Sequence, residues 1–195
     1  MKTEFIRLLQ QTELEGVEKI VSNLEKLGFF EAPASTRFHL SIPGGLVQHS
    51  ISVCKAAINI RNIAIAEKPD LETKLPVRSV ILVSLLHDIC KAEIYKTTFR
   101  NVKNEQGIWE KVPAYETDFS HFPMGHGEKS VIRLMQWGVK LTKDEMLAIR
   151  WHMNAWDIPF QSYEALGNLN AAKEQCPLLT ILQTADMLSS MIYED

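Results

Sequence analysis

The sequence has little that would tie it to an oxidising compartment, a membrane or a nucleic-acid backbone. It contains three cysteines (Cys54, Cys90 and Cys176), odd in number and never in a C-x-x-C pair. That argues against a disulfide framework and against a thiolate metal site. No apolar run approaches the ~18 residues of a membrane span, and the stretch MKTEFIRLLQQTELEG lacks the apolar core of a signal peptide. The net charge is -3 with histidine neutral, so no broad cationic surface is available for sequence-independent binding to nucleic acid, although a small basic pocket is compatible with it. Nothing repeats at a fixed period and no stretch is low in complexity. A soluble, cytoplasmic protein with reduced thiols and no membrane association is expected; the oligomeric state is not legible.

What is present suits one ordinary domain. The 195 residues are 46% hydrophobic and 23% charged, near the average for globular chains and enough for a sizeable core. The pattern is mostly helical. Thr12-Glu13-Leu14-Glu15 has the form of a capping box and predicts a helix carrying Leu14, Val17, Val21, Leu24 and Leu27, stopped at Gly28. A loop over 30–43 closes at Pro43-Gly44-Gly45, and a second helix is expected from about Leu46 to Ala66. Pro76 suits the first turn of the next helix, which carries VRSVILVSLLHDICK. Helix signals return at 126–137 before Gly138, from a second capping box at Thr142-Lys143-Asp144-Glu145 through Met153, and from Pro177 to about Tyr193. Between them, IYKTTFRNVKNEQGIWEKVPAY alternates in two runs around Asn104-Glu105-Gln106-Gly107, a β-hairpin signature over about 95–115.

The stretch 77–91 poses the chemical question. It is apolar for most of its length, yet it closes on His87, Asp88 and Lys91, groups that are costly to bury without partners. Other segments repeat the theme. His49 shares a helix face with Val53, Ala56, Ala57 and Ile60; His126 opens a helix; His152 follows Ala148 and Ile149 on the apolar side; Asp186 is flanked by Leu179, Leu182 and Ser189. A single histidine on an apolar helix face is ordinarily a hydrogen-bonded core residue, and Asp186 alone could cap a helix or pair with an arginine. Four imidazoles and two carboxylates together would carry a desolvation cost of many kcal/mol if unpaired, and a divalent metal is the partner that satisfies all six. His39, in the loop, and His121, before Phe122-Pro123, lack a core-facing frame and are read as non-ligands, His121 near a pocket rim.

The ordered set His49, His87-Asp88, His126, His152, Asp186 resembles the HD-domain superfamily of metal-dependent phosphohydrolases. GGLVQHSISV is similar to that family's first-histidine helix, LLHDICK to its HD signature and TADMLSS to its terminal aspartate, so the resemblance covers roughly residues 40 to 193. Cys90 stands where many members carry glycine, a departure expected to affect packing alone. The glycine-tyrosine-proline signature of the cyclic-dinucleotide branch is absent, which points away from that substrate. The roughly 40 residues before the first-histidine helix are too few for an OB-fold, which sets a processive ribonuclease aside.

The resemblance implies an all-α, HD-domain helical bundle with the hairpin inserted: one domain over 1–195, its residues 1–40 a helical extension and 41–195 the metal-binding core. It implies a first metal held by His49, His87, Asp88 and Asp186, with Asp88 bridging to a second held by His126 and His152. Two divalent transition metals per chain are expected (Mn, Fe, Co, Ni or Zn), since imidazole and carboxylate donors do not choose among them. The implied activity is cleavage of a phosphate ester of a nucleotide or similar small phosphorylated substrate by metal-activated water, mono- or diesterase unresolved. Asp88 and Lys91 are the catalytic candidates. Lys91 is also read as neutralising phosphate, the competing reading being a helix-end lysine that complements the macrodipole. Arg100, Arg150 and Asn154 are further candidates for binding substrate. The hairpin, with Arg100, Lys103, Lys111 and Trp109, is read as a lid over the metals, against the plainer reading of a solvated edge. Trp137, Trp151 and Trp156 are read as core residues. The alternatives to hydrolysis are an HD-type di-iron oxygenase, and a non-catalytic signalling or binding module, whose mark would be lost ligands; none is lost here.

Overall fold

The computed structural model describes residues 1–159 and 161–194. The chain folds into helices with one two-stranded antiparallel sheet. In order these are α1 (Lys2–Gln10), α2 (Val17–Leu27), α3 (Gly45–Glu67), α4 (Val77–Leu86), α5 (Lys91–Ile94), β1 (Tyr95–Lys103), β2 (Trp109–Thr117), α6 (His126–Gln136), α7 (Lys143–Trp151), α8 (Tyr163–Gln175) and α9 (Pro177–Leu188). Short 3-10 turns at Pro69–Thr73 and Asn154–Asp157, and a π-turn at Ser189–Tyr193, complete the path. Among the described residues no helix is long and apolar enough to cross a membrane.

Helices α3, α4 and α9 pack on one another at the centre, with α7 against α4 and α9 and α6 against α7. From Ser79 to Leu86 α4 is buried on every side, so the continuous apolar run there reflects a helix without a solvent face. The capping box at Thr142 forms, its hydroxyl accepting from the Glu145 N–H and Glu145 reaching back to the Thr142 N–H. The same carboxylate accepts from Ser79 Oγ at 2.7 Å and Arg78 Nη1 at 2.8 Å, which ties the start of α7 to the start of α4.

Two glycines set the closest approaches. A Cβ on Gly45 would lie 2.1 Å from the Leu40 carbonyl oxygen, and one on Gly127 would lie 2.3 Å from that of Arg150. Only glycine lets the 39–40 loop press on α3, or α6 press on the end of α7.

The structure departs from the sequence reading in five places. Thr12 does not open a helix; its hydroxyl donates to the Leu9 carbonyl at 2.6 Å, closing α1, and α2 starts at Val17 after Gly16. α1 itself was not foreseen, although Phe5, Leu8 and Leu9 carry the i, i+3, i+4 spacing that buries them, Phe5 packing its ring on Phe29 and Phe30. The helix through 77–91 breaks: α4 ends at Leu86, His87 to Cys90 form a turn, and Lys91 starts the short α5. α8 was also missed. The hairpin runs two residues past its expected end, with Tyr95 opposite Thr117 and Lys103 opposite Trp109.

Candidate metal centre

The α4–α5 turn places Asp88 at the centre of the molecule, and four other segments bring an imidazole or a carboxylate to it. His49 comes from α3, His87 from the turn itself, His126 from the first residue of α6, His152 from the residue after α7, and Asp186 from α9. Oδ1 of Asp88 lies 2.6 Å from His126 Nε2 and 3.2 Å from His152 Nε2. Oδ2 lies 3.3 Å from His87 Nε2, 3.7 Å from His49 Nε2 and 2.6 Å from Lys91 Nζ. His49 Nε2 is also 3.2 Å from Asp186 Oδ1. Potential donor atoms of three or more residues fall within 4.8 Å of one another in the sets His49, His87, Asp88; His87, His152, Asp186; and Asp88, His126, His152.

The far side of each ring decides what the near side can do. His87 Nδ1 donates to the Ser84 carbonyl at 2.9 Å and His152 Nδ1 to that of Ile149 at 2.7 Å. His49 Nδ1 faces the Glu194 carboxylate at 2.9 Å. An N–H fixed at Nδ1 leaves the neutral imidazole with a bare lone pair at Nε2. The Nε2 atoms of His49, His87 and His152 are buried and make no well-directed hydrogen bond, yet carboxylate oxygens, which are acceptors too, stand just beyond. Acceptors buried face to face require a cation between them. The residues present therefore fit a divalent metal.

At His49 a proton can meet the same need. Burial opposes the charge on His49, but its contacts with Asp186 and Glu194 outweigh burial and raise it to about 9. Burial likewise opposes ionisation of Asp88; the Lys91 ammonium and the His87 and His126 imidazoles overcome it and hold the carboxyl well below its usual range. Cys90 belongs to none of these donor sets; burial, with the Asp88 charge beside it, pushes its thiol up to about 12.

The six residues read from the sequence as ligands thus converge, and Lys91 joins them through Asp88. The Lys91 ammonium is buried against a carboxylate at the start of α5, which is not the position of a solvated helix end. Asn154 and the exposed Trp156 line a cavity of about 510 Å³ whose wall includes His39, Lys91, His152 and Asp186. Trp156 is 90% exposed and is therefore no core residue. Arg150 is not brought to the centre as a free cation: it bonds Asp157 and Glu128, each at 2.7 Å, and lies over the Trp151 ring. Arg100 is exposed on β1, five residues beyond Tyr95 and so about 17 Å further along the strand. Tyr95 and Thr117 at the hairpin base, not its tip, line a second cavity of about 320 Å³ beside His126.

The sequence reading missed His39 and Glu194. His39 packs its ring 5.0 Å from that of His49, its Nε2 buried without a hydrogen bond, and Glu194 is the group that orients His49. Position 39 precedes Leu40, which the Gly45 approach presses on α3, and no periodicity reveals that contact. His121 is exposed. Cys90 packs on the His126 ring, its Sγ 3.5 Å from Nδ1 and 3.7 Å from Nε2.

No protein-family model matches the chain, and no solved structure matches it. Among curated proteins it is similar to the dihydroneopterin 2',3'-cyclic phosphate phosphodiesterase of Methanocaldococcus jannaschii, with 32% identity over 88 residues. That stretch is 45% of this chain and 32% of the relative, so the chain spans about a third of the length of the curated protein it matches.

Proposed function

We propose that this chain is an HD-type metal-dependent phosphohydrolase, built as one domain around a dinuclear centre, that cleaves a phosphate ester of a nucleotide or similar small phosphorylated compound. The observation that carries this reading is the set of three buried, unbonded Nε2 lone pairs turned toward the oxygens of Asp88 and Asp186. The partial similarity to a cyclic phosphate phosphodiesterase supports hydrolysis of a phosphorus ester over the oxygenase alternative.

His49, His87, Asp88 and Asp186 would hold one divalent cation, and Asp88, His126 and His152 a second. Two such ions would supply an activated water at neutral pH and positive charge for the transferring phosphoryl group. The chain's own residues do the rest. Asp88 divides its oxygens between the two histidine groups, so one carboxylate offsets charge on both sides. The Ser84 and Ile149 carbonyls and the Glu194 carboxylate hold the rings of His87, His152 and His49 in register. Lys91 places an ammonium on the cavity side of Asp88, where it supports phosphoryl charge. Asn154 offers its amide, and Trp156 an exposed ring face, to the organic part of the substrate.

The experiment is metal analysis on protein purified without chelator, followed by phosphate release from nucleoside monophosphates, 2',3'-cyclic phosphates and other small phosphate esters. Metal-dependent turnover of a phosphate ester is expected. Oxygen consumption with an iron-dependent visible absorption band, and no phosphate release, would select the oxygenase instead.

A further inference from the structure

Lys129 is a charge that the reaction just described does not use. It lies on α6 one turn after His126, and its side chain is among the largest fully buried ones, 1% exposed. A buried ammonium is costly unless it is paired. Among the described residues Lys129 has no ion pair and no side-chain hydrogen bond, and its one aromatic neighbour is the Phe122 ring at 5.8 Å, which Arg133 shares at 4.6 Å.

The nearby carboxylates are already engaged. Glu93 holds Arg133 at two points, Asp157 and Glu128 hold Arg150, and Asp88 holds Lys91 and His126. What Lys129 does face is the cavity of about 320 Å³ that it lines with Cys90, Tyr95, Phe119, His126 and Trp156. Trp156 and Met153 border this cavity and also the larger one that contains Lys91 and Asp186.

We propose that the cavity beside His126 is a second anion subsite, with Lys129 as counter-charge to a phosphate-like group on the substrate other than the one cleaved. The inference rests on the phosphohydrolase reading for its substrate class: a compound carrying anionic groups on both sides of Trp156, such as a nucleoside bisphosphate. Lys129 itself is shielded from solvent, which strengthens an ion pair formed with it.

The test compares metal-loaded wild type with Lys129→Met, which keeps the length of the side chain and removes the charge, and with Lys129→Gln should the first variant fail to fold. Metal content should not change. Inorganic phosphate should raise the Tm of the wild type at roughly tenfold lower concentration than that of the variant, the scale of one charge-assisted contact. Wild type should also prefer a nucleoside 3',5'-bisphosphate over the matching monophosphate by about tenfold in kcat/KM, and the variant should lose that preference. Equal phosphate dependence of Tm in both proteins would overturn the subsite. So would equal losses of kcat/KM for mono- and bisphosphate. If phosphate binding depends on Lys129 while no phosphate ester is turned over by the wild type, the subsite stands and the hydrolase reading falls.

Discussion

His126 Nε2 stands 2.6 Å from Oδ1 of Asp88, although 38 residues separate them in the chain. With His152 on the same oxygen, and His49, His87 and Lys91 around Oδ2, a single carboxylate is shared between two groups of side chains that arrive from different segments.

That division predicts the metal stoichiometry. Wild-type protein is expected to carry close to two transition-metal equivalents, the double variant His126→Ala/His152→Ala about one, and Asp88→Ala little of either. Elemental analysis with circular dichroism checks it, because helix packing should keep the fold in all three. A wild type that stays metal-free after metal is supplied would sink the assignment.

Chelation should lower Tm without unfolding the protein, and added Mn, Fe, Co, Ni or Zn should restore it. A metal bound by the native state alone at about 100 times its Kd stabilises by about 2.7 kcal/mol. Calorimetry before and after dialysis against a chelator reads this directly.

Lys91→Ala should keep both metals, since its ammonium is a partner of Asp88 and not a ligand. Turnover of phosphate esters should fall by roughly 10²-fold, the scale of losing one charge that supports the transition state. Full activity in the variant would reduce Lys91 to a structural counter-ion.

Arg150→Met separates structure from chemistry. Its two ion pairs join α7, the start of α6 and the 154–157 turn, so denaturant unfolding should show a loss of roughly 1–2 kcal/mol, while KM stays within about twofold. A KM rise of tenfold or more with unchanged stability would return Arg150 to the substrate.

The hairpin predicts a contrast along its length. Deleting its outer part between Thr98 and Ala114, which face each other across the ladder, should preserve helicity and leave KM within about twofold. Tyr95→Ala, at the base and in the cavity wall, should raise KM several-fold. The opposite ranking would make the tip the lid that its charges suggested.

The sequence by itself determined the helical class, the hairpin and the six groups that converge, Asp88 among them. Apolar periodicity reports which face of a helix is buried, and His49, His87, Asp88, His126, His152 and Asp186 all sit on such faces or at their ends. It did not reveal that α4 stops before His87, because an all-apolar run reads the same in a helix and in a buried turn. Nor did it place Glu194, His39 and Lys129 beside the site, or show that Arg150 is already neutralised. Those facts depend on which segments meet. The meeting is decided by close approaches such as Gly45 on Leu40 and Gly127 on Arg150, where the absence of a side chain lets two backbones touch, and a contact between distant segments leaves no period in the chain.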